Sequence, residues 1–89
     1  HLGQNTVVSL KNVIAILDME NTTVSKNGRN FLEKAQENGE IFNVSDELPK
    51  SYVVCEKNNK RRVYISPISS ATLFKRTNYI DTIDDRKEG

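Results

Sequence analysis

The chain has 89 residues and nearly balanced charge, with 13 Lys plus Arg against 12 Asp plus Glu. This length fits one small domain and leaves no room for a second. A domain of this size buries only about 60 to 65% of the surface that its unfolded chain exposes, so core burial barely offsets the lost chain entropy. Since the hydrophobic fraction is only 36%, we expect that part of the chain is a tail, or that part of the core lies between subunits.

Taken as a total, the formal net charge of +1 argues against binding to nucleic acid. The total, however, averages over segments of opposite charge. Residues 50–76 carry seven bases and one acid, a net charge of +6, whereas residues 18–49 carry seven acids and three bases, a net charge of −4. A protein with such a charge dipole can bind a polyanion through one face.

Cysteine and apolar content bear on the compartment. The single cysteine, Cys55, excludes an intramolecular disulfide and favours a reducing compartment. No segment approaches the roughly 18 apolar residues that a membrane span needs, and no signal peptide is recognisable. We therefore expect a cytoplasmic protein without a membrane partner.

The first half of the chain predicts two strands, a loop and a helix. Residues 6–17 (TVVSLKNVIAIL) indicate two short strands on either side of a turn or bulge at Lys11-Asn12. The second strand, residues 13–17, is apolar throughout, which is typical of burial on both faces. Residues 18–25 (DMENTTVS) are rich in side-chain oxygen and predict a loop.

An amphipathic helix is predicted from Lys26 to Asn38, with Ser25 or Thr23 as its N-cap. Gly28 should weaken the start of this helix, and Gly39 should end it.

A hairpin is the strongest signal in the second half. After a short strand at residues 41–44 and a turn at residues 45–50, two β-rich runs, residues 51–56 and 61–66, flank Asn58-Asn59. Asparagine tolerates the positive φ that tight hairpin turns require.

A short helix from Ser70 to about Thr77 is predicted next, with Ser69 as its N-cap. It should bury either Ala71 and Phe74, or Leu73.

The predicted fold class is α+β, with a small mixed or antiparallel sheet of about five short strands and two helices. Residues 1–79 form the single domain, and residues 80–89, with dense charge and isolated apolar positions, are expected to be a mobile tail.

The residues needed for catalysis are scarce. The only histidine is His1, and Cys55 lies in an apolar strand, where a thiol is usually inert packing. One His and one Cys cannot supply the ligands of a zinc site, and the four glycines are too scattered to form a phosphate-binding loop. We expect that the protein is not an enzyme and that it binds no cofactor, no metal and no small-molecule substrate.

The basic segment is the remaining candidate site, and two interpretations of it stay open. Its charges could neutralise phosphates of a nucleic acid, or they could be surface charge that prevents edge-to-edge aggregation and complements a helix dipole. Tyr52 and Tyr64 are interpreted as cross-strand packing rather than as platforms for base stacking. The candidate phosphate contacts are Lys11, Lys50, Lys60, Arg61, Arg62, Lys75 and Arg76.

The chain resembles a known family, the bacterial RemA-like extracellular-matrix regulators, and within it the RemB (YaaB) branch. The resemblance covers roughly residues 1–77. The segments that carry it are His1-Leu2-Gly3, Val7-Val8-Ser9, Val13-Ile14-Ala15-Ile16, Pro49-Lys50-Ser51, and Tyr64 to Leu73 (YISPISSATL) with Lys75-Arg76.

The resemblance implies a cytoplasmic protein of spore-forming or related Gram-positive bacteria that promotes expression of biofilm-matrix genes. From the RemA branch it further implies small α/β protomers that assemble into rings and bind double-stranded DNA through a repeated basic surface. It also places Asn12 where that branch has a DNA-contacting arginine. The paired arginines of that branch fall near Glu47 and Leu48, with Lys50 as the nearest base.

Two functional hypotheses follow. In the first, a ring-like homo-oligomer binds double-stranded DNA and regulates transcription. In the second, the protein is an interaction module that regulates through a partner protein, without direct contact to DNA.

Overall fold

A computed structural model describes residues 1–3 and 6–77 of the chain. It confirms the α+β class, with a four-stranded mixed sheet in the order β1-β3-β4-β2. The elements in chain order are a 3-10 helix Leu10–Asn12, β1 Val13–Asp18, α1 Met19–Val24, α2 Lys26–Glu37, β2 Ile41–Asn43, β3 Ser51–Lys57, β4 Lys60–Ser66 and α3, residues 70–77.

The predicted hairpin is confirmed and forms the centre of the sheet. Asn58 and Asn59 link β3 to β4 with φ values of 53° and 65°, the left-handed conformation that a tight two-residue turn requires. The strand β1 pairs antiparallel with β3, and β2 pairs parallel with β4.

Both faces of the sheet are covered. On one face, Val53 and Cys55 pack against Leu2 and Leu73, so the N-terminal segment and α3 cover it. We call it the α3 face. On the other, the α2 face, the strand residues pack against the apolar side of α2. That second cluster comprises Ala35, Tyr52, Val54 and Val63, with Phe31, Leu32, Ile41 and Ile65 against it.

Two fully buried serines attach the N-terminal segment and the segment before α3 to the central hairpin. Ser51 and Ser66 are Cα partners in the sheet and are 0% exposed. The Ser51 hydroxyl donates to the Ile68 carbonyl oxygen at 2.7 Å, and the Ser66 hydroxyl donates to the Leu2 carbonyl oxygen. These bonds satisfy buried polar groups that would otherwise destabilise the fold.

The predicted first strand is absent, which is why the sheet has four strands rather than about five. Within residues 6–9 the backbone makes an isolated bridge from Thr6 to Gly3 and no ladder. Val8 instead packs its side chain against the core of the α3 face. Val8 therefore covers the sheet, and the β-branched run does not extend it.

The predicted loop at residues 18–25 is also wrong, because Met19–Val24 form α1. The Asp18 carboxylate caps it by accepting from the Asn21 backbone N–H at 3.1 Å. The N-cap of α2 is Ser25, whose hydroxyl oxygen accepts from the Gly28 N–H at 2.9 Å. Thr23, the other predicted cap, donates its hydroxyl to the Met19 carbonyl oxygen instead.

The predicted helix at residues 70–77 is confirmed, and Ser69 caps it by accepting from the Thr72 N–H at 3.2 Å. This helix buries Leu73, whereas Ala71 and Phe74 are exposed. The predicted tail, residues 80–89, lies outside the described residues. No helix in the described part of the chain is both long and apolar enough to cross a membrane.

Gly28 lies where α1 and α2 meet, and this gives a testable prediction. A Cβ at this position would overlap the Thr22 backbone carbonyl and would lie 2.7 Å from the Ser25 hydroxyl oxygen. We expect Gly28→Ala to lower the free energy of unfolding by about 1–3 kcal/mol in urea titrations, although alanine is the better helix former. The exposed Asn30→Ala in the same helix should raise it by a few tenths of a kcal/mol. A stabilised Gly28→Ala variant would contradict this packing.

Cys55 predicts a pH dependence of stability. Burial raises the pKa of its thiol above the ordinary value of 9.0. The unfolded chain therefore loses this proton first as the pH rises, so the stabilising contribution is complete below about pH 9 and is lost above it. The free energy of unfolding should fall less steeply in Cys55→Ala than in the unmodified protein as the pH rises above about 9. Equal slopes would contradict the prediction.

Candidate functional site

A groove opens on the α3 face, beside the tip of the hairpin. Its volume is about 540 Å³, and the N-terminal segment, the 3-10 helix and the two hairpin strands form its walls. We call it the basic groove. The residues that line it are Val7, Val8, Ser9, Asn12, Cys55, Lys57, Asn58, Lys60, Arg62 and Tyr64.

The register of the hairpin gathers the positive charge of this groove. Lys57 pairs with Lys60 across the turn, and Arg62 pairs with Cys55. Because side chains alternate between faces along a strand, Lys57, Lys60 and Arg62 share the α3 face. None of the described residues that line the groove is acidic. Three like charges so close together repel one another, and a bound anion would relieve that repulsion.

Arg62 is held in place by two aromatic side chains. Its guanidinium carbon lies 5.2 Å from the centroid of the Phe42 ring, within the range of a cation–π contact. Its Nη1 also donates to the Tyr64 hydroxyl at 3.4 Å. The Phe42 and Tyr64 rings are themselves 6.0 Å apart at an angle of 36°. These contacts restrict a side chain that would otherwise be mobile.

The floor and the rim of the groove differ in polarity. Cys55 on the floor is 6% exposed, and desolvation raises the pKa of its thiol, so the neutral form predominates near pH 7. Burial also raises the pKa of Tyr52, on the α2 face. The rim carries the amides of Asn12 and Asn58 and the Ser9 hydroxyl, which can both donate and accept hydrogen bonds.

Two of the seven predicted phosphate contacts, Lys60 and Arg62, line the groove. Arg61, between them, faces the α2 side, where its Cα partner is Glu56. Lys57 lines the groove although it is absent from the predicted set. Strand alternation counted from the turn could have identified it.

The other four predicted residues lie outside the groove lining. Lys11 is exposed in the 3-10 helix, next to Asn12, which does line the groove. Lys50 precedes β3 at the end away from the tip, roughly 20 Å from Lys57 along the strand. Lys75 and Arg76 are exposed on α3, and the Arg76 Nη1 donates to the His1 carbonyl oxygen at 3.1 Å.

The described residues contain no cluster of three or more His, Cys, Asp or Glu side chains that could hold a metal ion. The arrangement of the groove supports reversible binding of an anion through several N–H donors.

Comparisons with known proteins agree with one another. Residues 1–77 match the RemA-like family, described as extracellular matrix regulatory protein A-like. The chain is 37% identical over 84 residues to the extracellular matrix regulatory protein B of Bacillus subtilis (strain 168), covering 94% of this chain and 95% of that protein. No solved structure gives a significant match. The chain therefore belongs to the RemA-like family.

Proposed function

We propose that this protein is a non-enzymatic regulator of extracellular-matrix genes that binds double-stranded DNA through the basic groove, repeated around a homo-oligomer. The names of the family and of the Bacillus subtilis relative support the regulatory role. The concentration of Lys57, Lys60 and Arg62 in a groove whose described lining has no acid carries the proposal of DNA binding.

The groove would bind DNA mainly through its phosphates. Each lysine or arginine that neutralises a phosphate releases condensed counterions, which drives binding at low salt. One protomer offers only about three such side chains within the groove. Useful affinity then requires several grooves on one assembly, because linked weak sites raise one another's effective concentration.

Features of the surface support self-association. The strands β1 and β2 lie at the two edges of the sheet, and neither has an outer partner among the described residues. Ile14 lies where the pairing register of β1 with β3 shifts, and its side chain is 53% exposed. Other exposed apolar side chains include Val7, Val24, Leu48 and Phe74. Association of β1 of one copy with β2 of the next would satisfy both edges and could close a ring.

Neutralising two groove lysines tests the DNA contact. The double variant Lys57→Gln/Lys60→Gln should bind duplex DNA at least tenfold more weakly at low salt, because each protomer then neutralises two fewer phosphates. The slope of log K against log salt should also become less negative by about 0.9 for every phosphate that is no longer neutralised. Fluorescence anisotropy across a salt series measures both quantities.

The matched control is Lys26→Gln/Lys34→Gln, which makes the same change in net charge on exposed positions of α2. It should leave the affinity nearly unchanged. An equal loss of affinity in both variants would show that the loss comes from the change in overall charge and not from the groove. Unimpaired binding by the groove variant, or no binding by the unmodified protein, would contradict the proposal and favour action through a partner protein.

Light scattering tests the assembly. At micromolar concentration the unmodified protein should give a mass that is a multiple of 10.1 kDa. Ile14→Lys should lower that mass, because it places a charge on the exposed edge strand. Lys26→Gln serves as the control that leaves the mass unchanged. A strictly monomeric unmodified protein would contradict the homo-oligomer.

A further inference from the structure

The basic groove holds more than phosphate binding requires. Phosphate binding needs positive charge, which Lys57 and Lys60 supply. Tyr64, which the sequence predicted as cross-strand packing, also lines the groove. Beside it lies the guanidinium group of Arg62, which contacts the Phe42 ring. Proteins commonly bind unpaired nucleotides by combining planar side chains with positively charged ones.

We infer that the basic groove is a subsite for an unpaired nucleotide, with its phosphate between the lysines and its base against Arg62 and Tyr64. The inference rests on the proposed function in using the same basic side chains, but it does not require paired DNA. The ligand chemistry is a phosphorylated nucleoside, which could be free or part of a strand.

The contacts of Arg62 make its guanidinium suitable as a stacking surface. Phe42 covers it from one side at 5.2 Å, and the hydrogen bond to the Tyr64 hydroxyl fixes its position further. The same side chain lines the groove and is exposed, so a ligand can reach it from the groove side. Guanidinium planes and tyrosine rings both stack on bases.

The size and polarity of the groove also fit a nucleotide. Its volume of about 540 Å³ falls within the range of small-ligand sites, about 300–1,000 Å³. The Asn12 and Asn58 amides on the rim offer both donors and acceptors to the edge of a base. In a duplex each base is paired and stacked, so a duplex can place only its phosphates at the rim of the groove. An unpaired nucleotide can also place its base inside the groove.

The test separates the base from the phosphate. Affinities are measured by anisotropy competition for an oligothymidylate, for an abasic strand of equal length and charge, for thymidine 5′-monophosphate and for a fully paired duplex. The oligothymidylate should bind about tenfold tighter than the abasic strand. This ratio should persist as salt rises, because the bases carry no charge. Competition by the monophosphate would identify a free nucleotide as a ligand, and its failure would restrict the subsite to strands.

Two adjacent arginines provide a matched pair of variants. Arg62→Lys keeps the positive charge but removes the guanidinium plane, so the ratio should fall towards one. Arg61→Lys makes the same change on the α2 face and should leave the ratio unchanged. Phe42→Leu should lower the ratio in the same direction as Arg62→Lys, because the guanidinium loses its aromatic support.

Equal affinities for the oligothymidylate and the abasic strand would overturn the inference, as would a ratio that Arg62→Lys leaves intact. Binding of the paired duplex reports on the proposed function separately. If the duplex fails to bind while the oligothymidylate binds, the proposed function is wrong and the subsite stands. If the duplex binds and the oligothymidylate binds no tighter than the abasic strand, the proposed function stands and the nucleotide subsite is wrong.

Discussion

The pairing of β3 with β4 determines where every other part of the domain lies. The Asn58-Asn59 turn sets the register of this pair, and a slip by one residue would move every side chain of a strand to the opposite face. In the observed register the two serines, Ser51 and Ser66, meet at the buried end of the hairpin. Their hydroxyls bind the segments that cover the α3 face. At the other end, the same register brings together three basic side chains, those of Lys57, Lys60 and Arg62.

The register also explains how a nearly neutral protein can present a basic surface. Arg61 and Arg62 are neighbours in sequence, yet one faces Glu56 on the α2 side and the other lines the groove. The helix α2, which carries three bases and two acids, covers the opposite face of the sheet from the groove. The net charge of +1 therefore averages over a segment of net charge −4, residues 18–49, and one of +6, residues 50–76. A polyanion at the groove would meet side chains of the basic segment.

Local signals predicted the hairpin, α2 and α3, because their turn residues and caps act within a few positions. The first of the two strands predicted within residues 6–17 is wrong, because β-branched side chains can cover a sheet as well as extend it. Asp18 was available as an N-cap signal for α1, but the oxygen-rich composition favoured a loop. The basic cluster was predictable as a segment. Its division between faces needed the hairpin register, and the contact of Phe42 with Arg62 depends on the long-range pairing of β2 with β4.

The most direct test of a nucleic-acid site in the basic groove is the chemical reactivity of each lysine, measured by acetylation and mass spectrometry with and without duplex DNA. The account predicts strong protection of Lys57 and Lys60, and unchanged reactivity of Lys26 and Lys34 on α2. Protection at Lys11, Lys50 or Lys75 would show how far the contact extends beyond the groove. Unprotected groove lysines, or equal protection on both faces, would contradict the account.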